Sequence, residues 1–293
     1  MIVVKLMGGL GNQMFQYATG RRLALRHGVP LKLDLTFLEG NQAGSTPRRF
    51  ALHCFAIEAA KATPWEVALM TGRGTSFVLH SVFARLSGAI RGFSQYRERW
   101  FQYDPEVLCL PDNVYLEGYW QSPRYFDDSA EIIRREFNLK TEPEGKNREL
   151  ADRIDSVAAV SLHVRRGDYV TDPVTNAVHG ICGPDYYDAA VTTMTQLVKE
   201  PEFFVFSDDP AWCREELKVS FPIHYIDNNR NQPHEDLRLM SRCRYHIIAN
   251  SSFSWWGAWL CQQPDKLVIT PKRWFNDPSV NTNDMIPVGW HRL

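Results

Sequence analysis

The sequence predicts an α/β protein of two domains, the second built on a parallel sheet. Three observations predict it. From residue 157 onward, short apolar runs alternate with amphipathic stretches of helical length. The chain opens on an apolar strand, a glycine loop and a helix. A polar segment with Pro and Gly, KTEPEGKNRE at 140–149, divides the 293 residues into two lengths of ordinary domain size, 1–145 and 146–293.

In order, IVVKL (2–6) reads as a buried strand, GGLGNQ follows at 8–13, and 14–27 fits a helix with apolar residues at 14, 15, 18, 23 and 25. A glycine loop between strand and helix brings backbone N–H groups at a helix start, with Gly9 in the loop, to an anion or a sugar oxygen. The plainer reading is a tight turn that lets the helix lie on its strand. The dinucleotide fingerprint fails because Met14 stands where a third glycine is needed, and no Gly-Lys-Ser/Thr makes a phosphate-binding loop. LKLDL (31–35) is a second strand. Helices are expected near 64–71, 77–91 and 126–139, and a strand at 114–120.

The second half is cleaner. Strands at 157–164, 203–207, 223–227, 246–250 and 266–270 alternate with helices at 184–198, 210–218, 234–242 and 254–262, a series that folds as a parallel sheet with right-handed crossovers. The first four strands each end in polar residues: HVRRGD, SDDP, DNNRN and NSSFSWW. Ligands bind at the carboxyl ends of strands in open parallel sheets, so four such ends together place a site in this half.

The side chains there suit a diphosphate. Arg165 and Arg166 offer planar, permanent charge, and His163 precedes them on the strand. Asn250, Ser251, Ser252 and Phe253 lie where a strand meets a helix, whose free N–H groups suit a phosphate oxygen; Ser252 serves equally as a plain helix cap. Asp208 and Asp209 offer carboxylates matched to the paired N–H donors of guanine; capping of the helix that starts at Pro210 accounts for Asp209 better than for Asp208. Asp168 is either a reactive carboxylate or an ion-pair partner of an arginine. Trp255, Trp256 and Trp259 have the spacing of residues that pack a helix on its sheet.

Composition excludes several classes. A net charge of −1 gives no global attraction to nucleic acid. No apolar run of about 18 residues is present, and the N-terminal run is too short for a signal peptide, so a cytoplasmic protein is expected. The six cysteines form no C-x-x-C pair, and no D-x-D, H-E-x-x-H or spaced histidine pair marks a metal site. No metal and no cofactor are expected.

GGLGNQMFQYA (8–18), HVRRGDY (163–169), FSDD (206–209) and NSSFSWWGAWL (250–260) resemble, in order and spacing, the motifs of the α-1,2-fucosyltransferases, glycosyltransferase family 11. The resemblance runs from the first strand to about residue 275 and is thin over 40–150. It implies a GT-B-like arrangement, two Rossmann-like domains facing a cleft, with GDP-β-L-fucose as donor held by domain 146–293 and the acceptor on the side of domain 1–145. It implies metal-free, inverting transfer to the 2-hydroxyl of a galactose in a glycan. Arg165 would then contact the GDP phosphates, His163 lie beside the nucleotide, an acid of the SDD run read guanine, and Ser251, Ser252 and Phe253 line the diphosphate, with Asn12 facing the fucose or the phosphate. Asp168 is the first candidate for the base, with Asp172 and His179 behind it. Absence of an anchor favours a bacterial enzyme on the inner membrane face, meeting lipid-linked acceptors. Other readings are a transferase of another nucleotide sugar and a non-catalytic GDP- or glycan-binding module.

Overall fold

A computed structural model describes residues 1–42, 46–72 and 92–293. The helix expected at 77–91 lies outside the described residues. The chain divides into two compact units, Met1–Asn138 with Asn283–Met285, and Leu139–Thr282 with Ile286–Leu293.

The first unit holds a sheet of five strands in the order β3-β2-β1-β5-β4. They are β1 (Ile2–Lys5), β2 (Leu31–Asp34), β3 (Ala60–Lys61), β4 (Ser94–Arg97) and β5 (Val114–Glu117), and every pair is parallel. Central β1 is apolar on both faces, as a doubly covered strand must be: Ile2, Val3 and Val4 are fully buried. The first helix begins at Leu10, earlier than expected, and ends at His27 against Gly28 in the left-handed conformation. Its early start follows from Gly8, whose φ of 73° turns the chain so sharply that Gly9 already caps the helix. Gly20 lets the helix press onto the sheet, since a Cβ there would fall 2.2 Å from the Val4 side chain. Pro64–Thr71 is helical as expected, opened by a reciprocal Thr63–Glu66 cap. The helix expected at 126–139 shortens to Ala130–Glu136, preceded by a 3-10 turn.

The second unit holds six strands in the order β11-β10-β9-β6-β7-β8. They are β6 (Ala158–Val164), β7 (Pro201–Ser207), β8 (Ile223–Ile226), β9 (Tyr245–Ile247), β10 (Leu267–Thr270) and β11 (His291–Arg292), again parallel throughout. Helices Pro184–Leu197, Pro210–Glu216, Pro233–Arg242 and Ser252–Leu260 alternate with them. The segment read as a linker is half helix: Gly145–Ser156 buries Leu150, Ala151 and Ile154 against Phe204, Phe206, Leu239 and Met240. So few apolar residues in a polar run hid its face. Trp255, Trp256 and Trp259 are core residues, at most 4% exposed.

Candidate functional site

The order of the second sheet decides which strand ends meet. β6 lies between β7 and β9, so HVRRGDY, SDD and NSSF emerge from three adjacent strands, and the DNNRN end of β8 lies one strand further out. His163 is still inside β6 and buried, its ring 5.6 Å from that of Phe253. Burial first, and then the charge of Arg165, push its imidazole down to about 3, so it is neutral.

Past Val164 the strand gives way to the arginines. Arg165 donates to Asp208 at 2.5 Å and, through its other terminal nitrogen, to Asp168. Its guanidinium carbon stands 5.2 Å from the Tyr169 ring centre. Arg166 lies 4.4 Å over the Trp212 ring and donates to Asp209 at 3.1 Å. Asp208 also accepts the Arg166 backbone N–H at 2.8 Å. This arrangement explains Gly167: a Cβ there would fall 2.4 Å from an Asp208 carboxylate oxygen. Asp209 caps helix Pro210–Glu216 by accepting from the Trp212 N–H. Both carboxylates of the SDD run thus hold arginines, and Asp168 stands as an ion-pair partner of Arg165.

On the other side of β6, Ser251 is the cap of helix Ser252–Leu260, its hydroxyl accepting from the Phe253 N–H at 3.3 Å. The cap expected at Ser252 therefore falls one residue earlier, and Ser252 and Phe253 form the first turn, where backbone N–H groups point out of the helix. Asn250 is buried and its amide donates to the carbonyls of His179 and Trp274, at 2.9 and 3.2 Å. It ties two loops around the strand end.

The loop after the arginines, which carries no readable motif, folds into two short helices, Gly167–Thr171 and Pro173–His179. Asp172 caps the second, accepting from the Val174 N–H and the Thr175 hydroxyl, bonds that hold its carboxyl below the usual range. His179 stacks on Tyr169, ring centres 4.8 Å apart, and burial lowers its pKa.

At the outer strand end, Asn228 and Asn229 bond to Asn147, and Asn229 donates to Asp236 at 2.9 Å. Burial pushes Asp236 up to about 7. Sequence reading passed this acid over. Its helical position, beside Glu235 and amid polar neighbours, gives no local sign that the fold covers it.

In the first unit, Gly9 and Asn12 stand at the carboxyl end of β1. Gln13 explains the loop's shape: its amide donates to the Gly8 and Arg49 carbonyls and accepts from the Ala51 N–H, each at 2.9 Å. Gln16 bonds the Met7 N–H and the Gly118 carbonyl in the same way. The Asn12 side-chain oxygen accepts from the Gln121 amide at 2.8 Å.

Among the described residues, no three of His, Cys, Asp or Glu gather as metal ligands. No described helix is long and apolar enough to cross a membrane.

Known proteins resemble this chain along its length. An α-1,2-colitosyltransferase of Escherichia coli is 34% identical, covering all of this chain and 98% of that protein. The O-antigen biosynthesis glycosyltransferase WbnK of Escherichia coli is 32% identical over 95% of the chain and 97% of its own length. Galactoside α-(1,2)-fucosyltransferase 1 of Mus musculus is 28% identical over 86% of the chain, which spans 61% of it. Among solved structures, a mutant of Arabidopsis thaliana FUT1 in complex with GDP superposes with a TM-score of 0.50 at 12% identity, over 89% of this chain and 68% of that one. That likeness, with two parallel sheets each layered by helices, makes the fold GT-B-like. The model of Glycosyl transferase family 11 matches residues 93–293, and the chain belongs to that family of fucosyltransferase-type glycosyltransferases.

Proposed function

We propose that the protein transfers L-fucose from GDP-β-L-fucose to the 2-hydroxyl of a galactose in a glycan, with inversion and without a metal. The observation that carries this reading is the arginine pair at the end of β6, set between the carboxylates that follow β7 and the helix start that follows β9. A guanidinium has five N–H donors, so Arg165 can keep its two carboxylates and still grip a diphosphate. Ser251, Ser252 and Phe253 line the start of their helix, whose positive dipole end favours the diphosphate. His163, uncharged, lies beside the nucleotide.

In the reaction, the galactose oxygen forms a bond to fucose C1 as the bond from C1 to the β-phosphate oxygen breaks. GDP leaves with the electron pair, and the arginines and the helix start stabilise the charge it gains. Asn12 and Gly9 contact the sugar or the phosphate. Of the candidate proton acceptors, Asp168 holds Arg165 and Asp172 caps its helix. We assign Asp168 to orienting Arg165. His179, kept neutral by burial, is the remaining group with a basic nitrogen. The acceptor is a galactose-terminated glycan, which we place on a lipid carrier at the inner membrane face, and the relative named for O-antigen biosynthesis supports an O-antigen-type glycan. No nucleic acid is a partner.

The relative named as a colitosyltransferase favours a second reading, in which the donor carries colitose. Incubation with a β-galactoside and either GDP-fucose or nucleotide-activated colitose, in the presence of EDTA, tests both. An α-1,2-fucosylated product supports the proposal. Turnover of the colitose donor alone supports the second reading, and nucleotide binding without any turnover would reduce the protein to a binding module.

A further inference from the structure

We infer that Gln121 is a positioning residue for Asn12, and that the strained turn after β5 exists to hold it there. The inference rests on the reading above in one respect, that Asn12 meets the sugar nucleotide.

β5 ends at Glu117, and the chain then reverses through Gly118, Tyr119 and Trp120. Trp120 has a φ of 56°, a left-handed conformation that disfavours a large side chain. Strain of this kind persists only where the surroundings over-determine it. Here they do. Glu98, just beyond β4, accepts the N–H of Tyr119 at 2.7 Å with one carboxylate oxygen and the N–H of Trp120 at 2.9 Å with the other. The Trp120 ring is fully buried, in edge contact with Tyr125. Gly118 has no room for a side chain, since a Cβ would fall 2.5 Å from Glu98 and 2.8 Å from the Trp120 ring. The Ser122 N–H closes the turn on the Trp120 carbonyl at 2.8 Å.

The residue this turn delivers is Gln121, nearly buried, whose amide donates to the Asn12 side-chain oxygen at 2.8 Å. An asparagine amide can face either way, because its two ends differ only in donating or accepting. In this structure the Gln121 NH₂ is the donor, so the Asn12 oxygen turns toward Gln121 and the Asn12 NH₂ lies over Gly8. The glycine is part of the device, as a Cβ at Gly8 would fall 2.5 Å from the Asn12 side-chain nitrogen. Glu98, Trp120, Gln121 and Gly8 thus fix one rotamer and one sense of a single amide at the carboxyl end of β1.

The test is a double-mutant cycle on the full-length protein with whichever nucleotide sugar the wild type turns over. Gln121→Glu replaces the donor with an acceptor of the same shape, which draws the Asn12 NH₂ toward itself. Gln121→Met removes the donor and keeps the volume. Gln121→Glu is expected to lower kcat about 30-fold, with the donor KM changed by less than about threefold and the melting temperature retained, and Gln121→Met to lower kcat less. Gln121→Glu combined with Asn12→Ala is expected to be no slower than Asn12→Ala alone, because Gln121 acts only through Asn12. Normal kcat in Gln121→Glu, or losses that multiply in the double variant, would overturn the inference. A wild-type protein that turns over no nucleotide sugar would instead overturn the functional reading, and the orientation would then be read from the Asn12 amide proton signals, which Gln121→Glu must shift and which unchanged signals would refute.

Discussion

Arg165 and Asp208, 43 residues apart in the chain, meet at 2.5 Å where β6 and β7 end side by side. The pairing turns two polar strand ends into one structure. The guanidinium is held from one side by Asp208 and from the other by Asp168, so its planar fork is oriented before any ligand arrives, and less side-chain freedom is lost on binding.

Asp168→Asn separates orientation from base catalysis. As an orienting residue, Asp168 is expected to raise the donor KM about 10-fold when replaced, with a smaller change in kcat and a pH profile of unchanged shape. A kcat loss of two orders of magnitude at constant KM, with the acidic limb of the profile gone, would make Asp168 the base. Steady-state kinetics across pH 5–9 read the difference.

Glu136 should matter to stability and not to the nucleotide. It is buried, accepts from Tyr17 at 2.5 Å and pairs with Arg21 at 2.7 Å. Glu136→Ala leaves the Tyr17 hydroxyl without its acceptor and Arg21 with the exposed Glu58 alone, at a cost of about 2–3 kcal/mol. Calorimetry should show an earlier unfolding transition for the first unit, with GDP affinity unaltered.

Two buried histidines give a signed pH dependence. His163 and His246 are both pushed down to about 3, mainly by burial. Between pH 6.5 and 3 the unfolded chain takes up protons at these sites and the folded one does not, so their contribution is full above pH 6.5 and is lost as pH falls. Each contributes a slope of about 1.4 kcal/mol per pH unit. Asp236 works in the opposite sense: raised to about 7, it favours the fold at low pH and loses that contribution as pH rises toward 7. Comparison of variants isolates each group. His246→Phe is expected to flatten the loss between pH 6 and 4 in chemical denaturation, and an unchanged slope would refute the assignment.

The second sheet was legible because its strands are continuous apolar runs separated by helices of opposite pattern. Its strand ends stood out because polar residues interrupt those runs so abruptly. What the strand ends do to one another was not legible. That Asp208 serves Arg165, and that Gly167 is small to admit Asp208, depend on β6 and β7 being neighbours. Helix Gly145–Ser156 was missed because the apolar residues of its buried face are only Leu150, Ala151 and Ile154, joined there by the polar Asn147. β11 is two residues long, too short to leave a pattern. Gln121 carries no motif; its place follows from the backbone of Trp120, which no local pattern announces.

The central claim is that Arg165 grips the diphosphate of the donor. The most direct measurement is GDP binding by calorimetry, with transfer kinetics alongside, on wild type and Arg165→Ala. The expected result is GDP affinity and transfer each reduced at least 100-fold in the variant, with the melting temperature of the second unit close to that of wild type. Wild-type GDP affinity together with an undiminished transfer rate in Arg165→Ala would contradict the account.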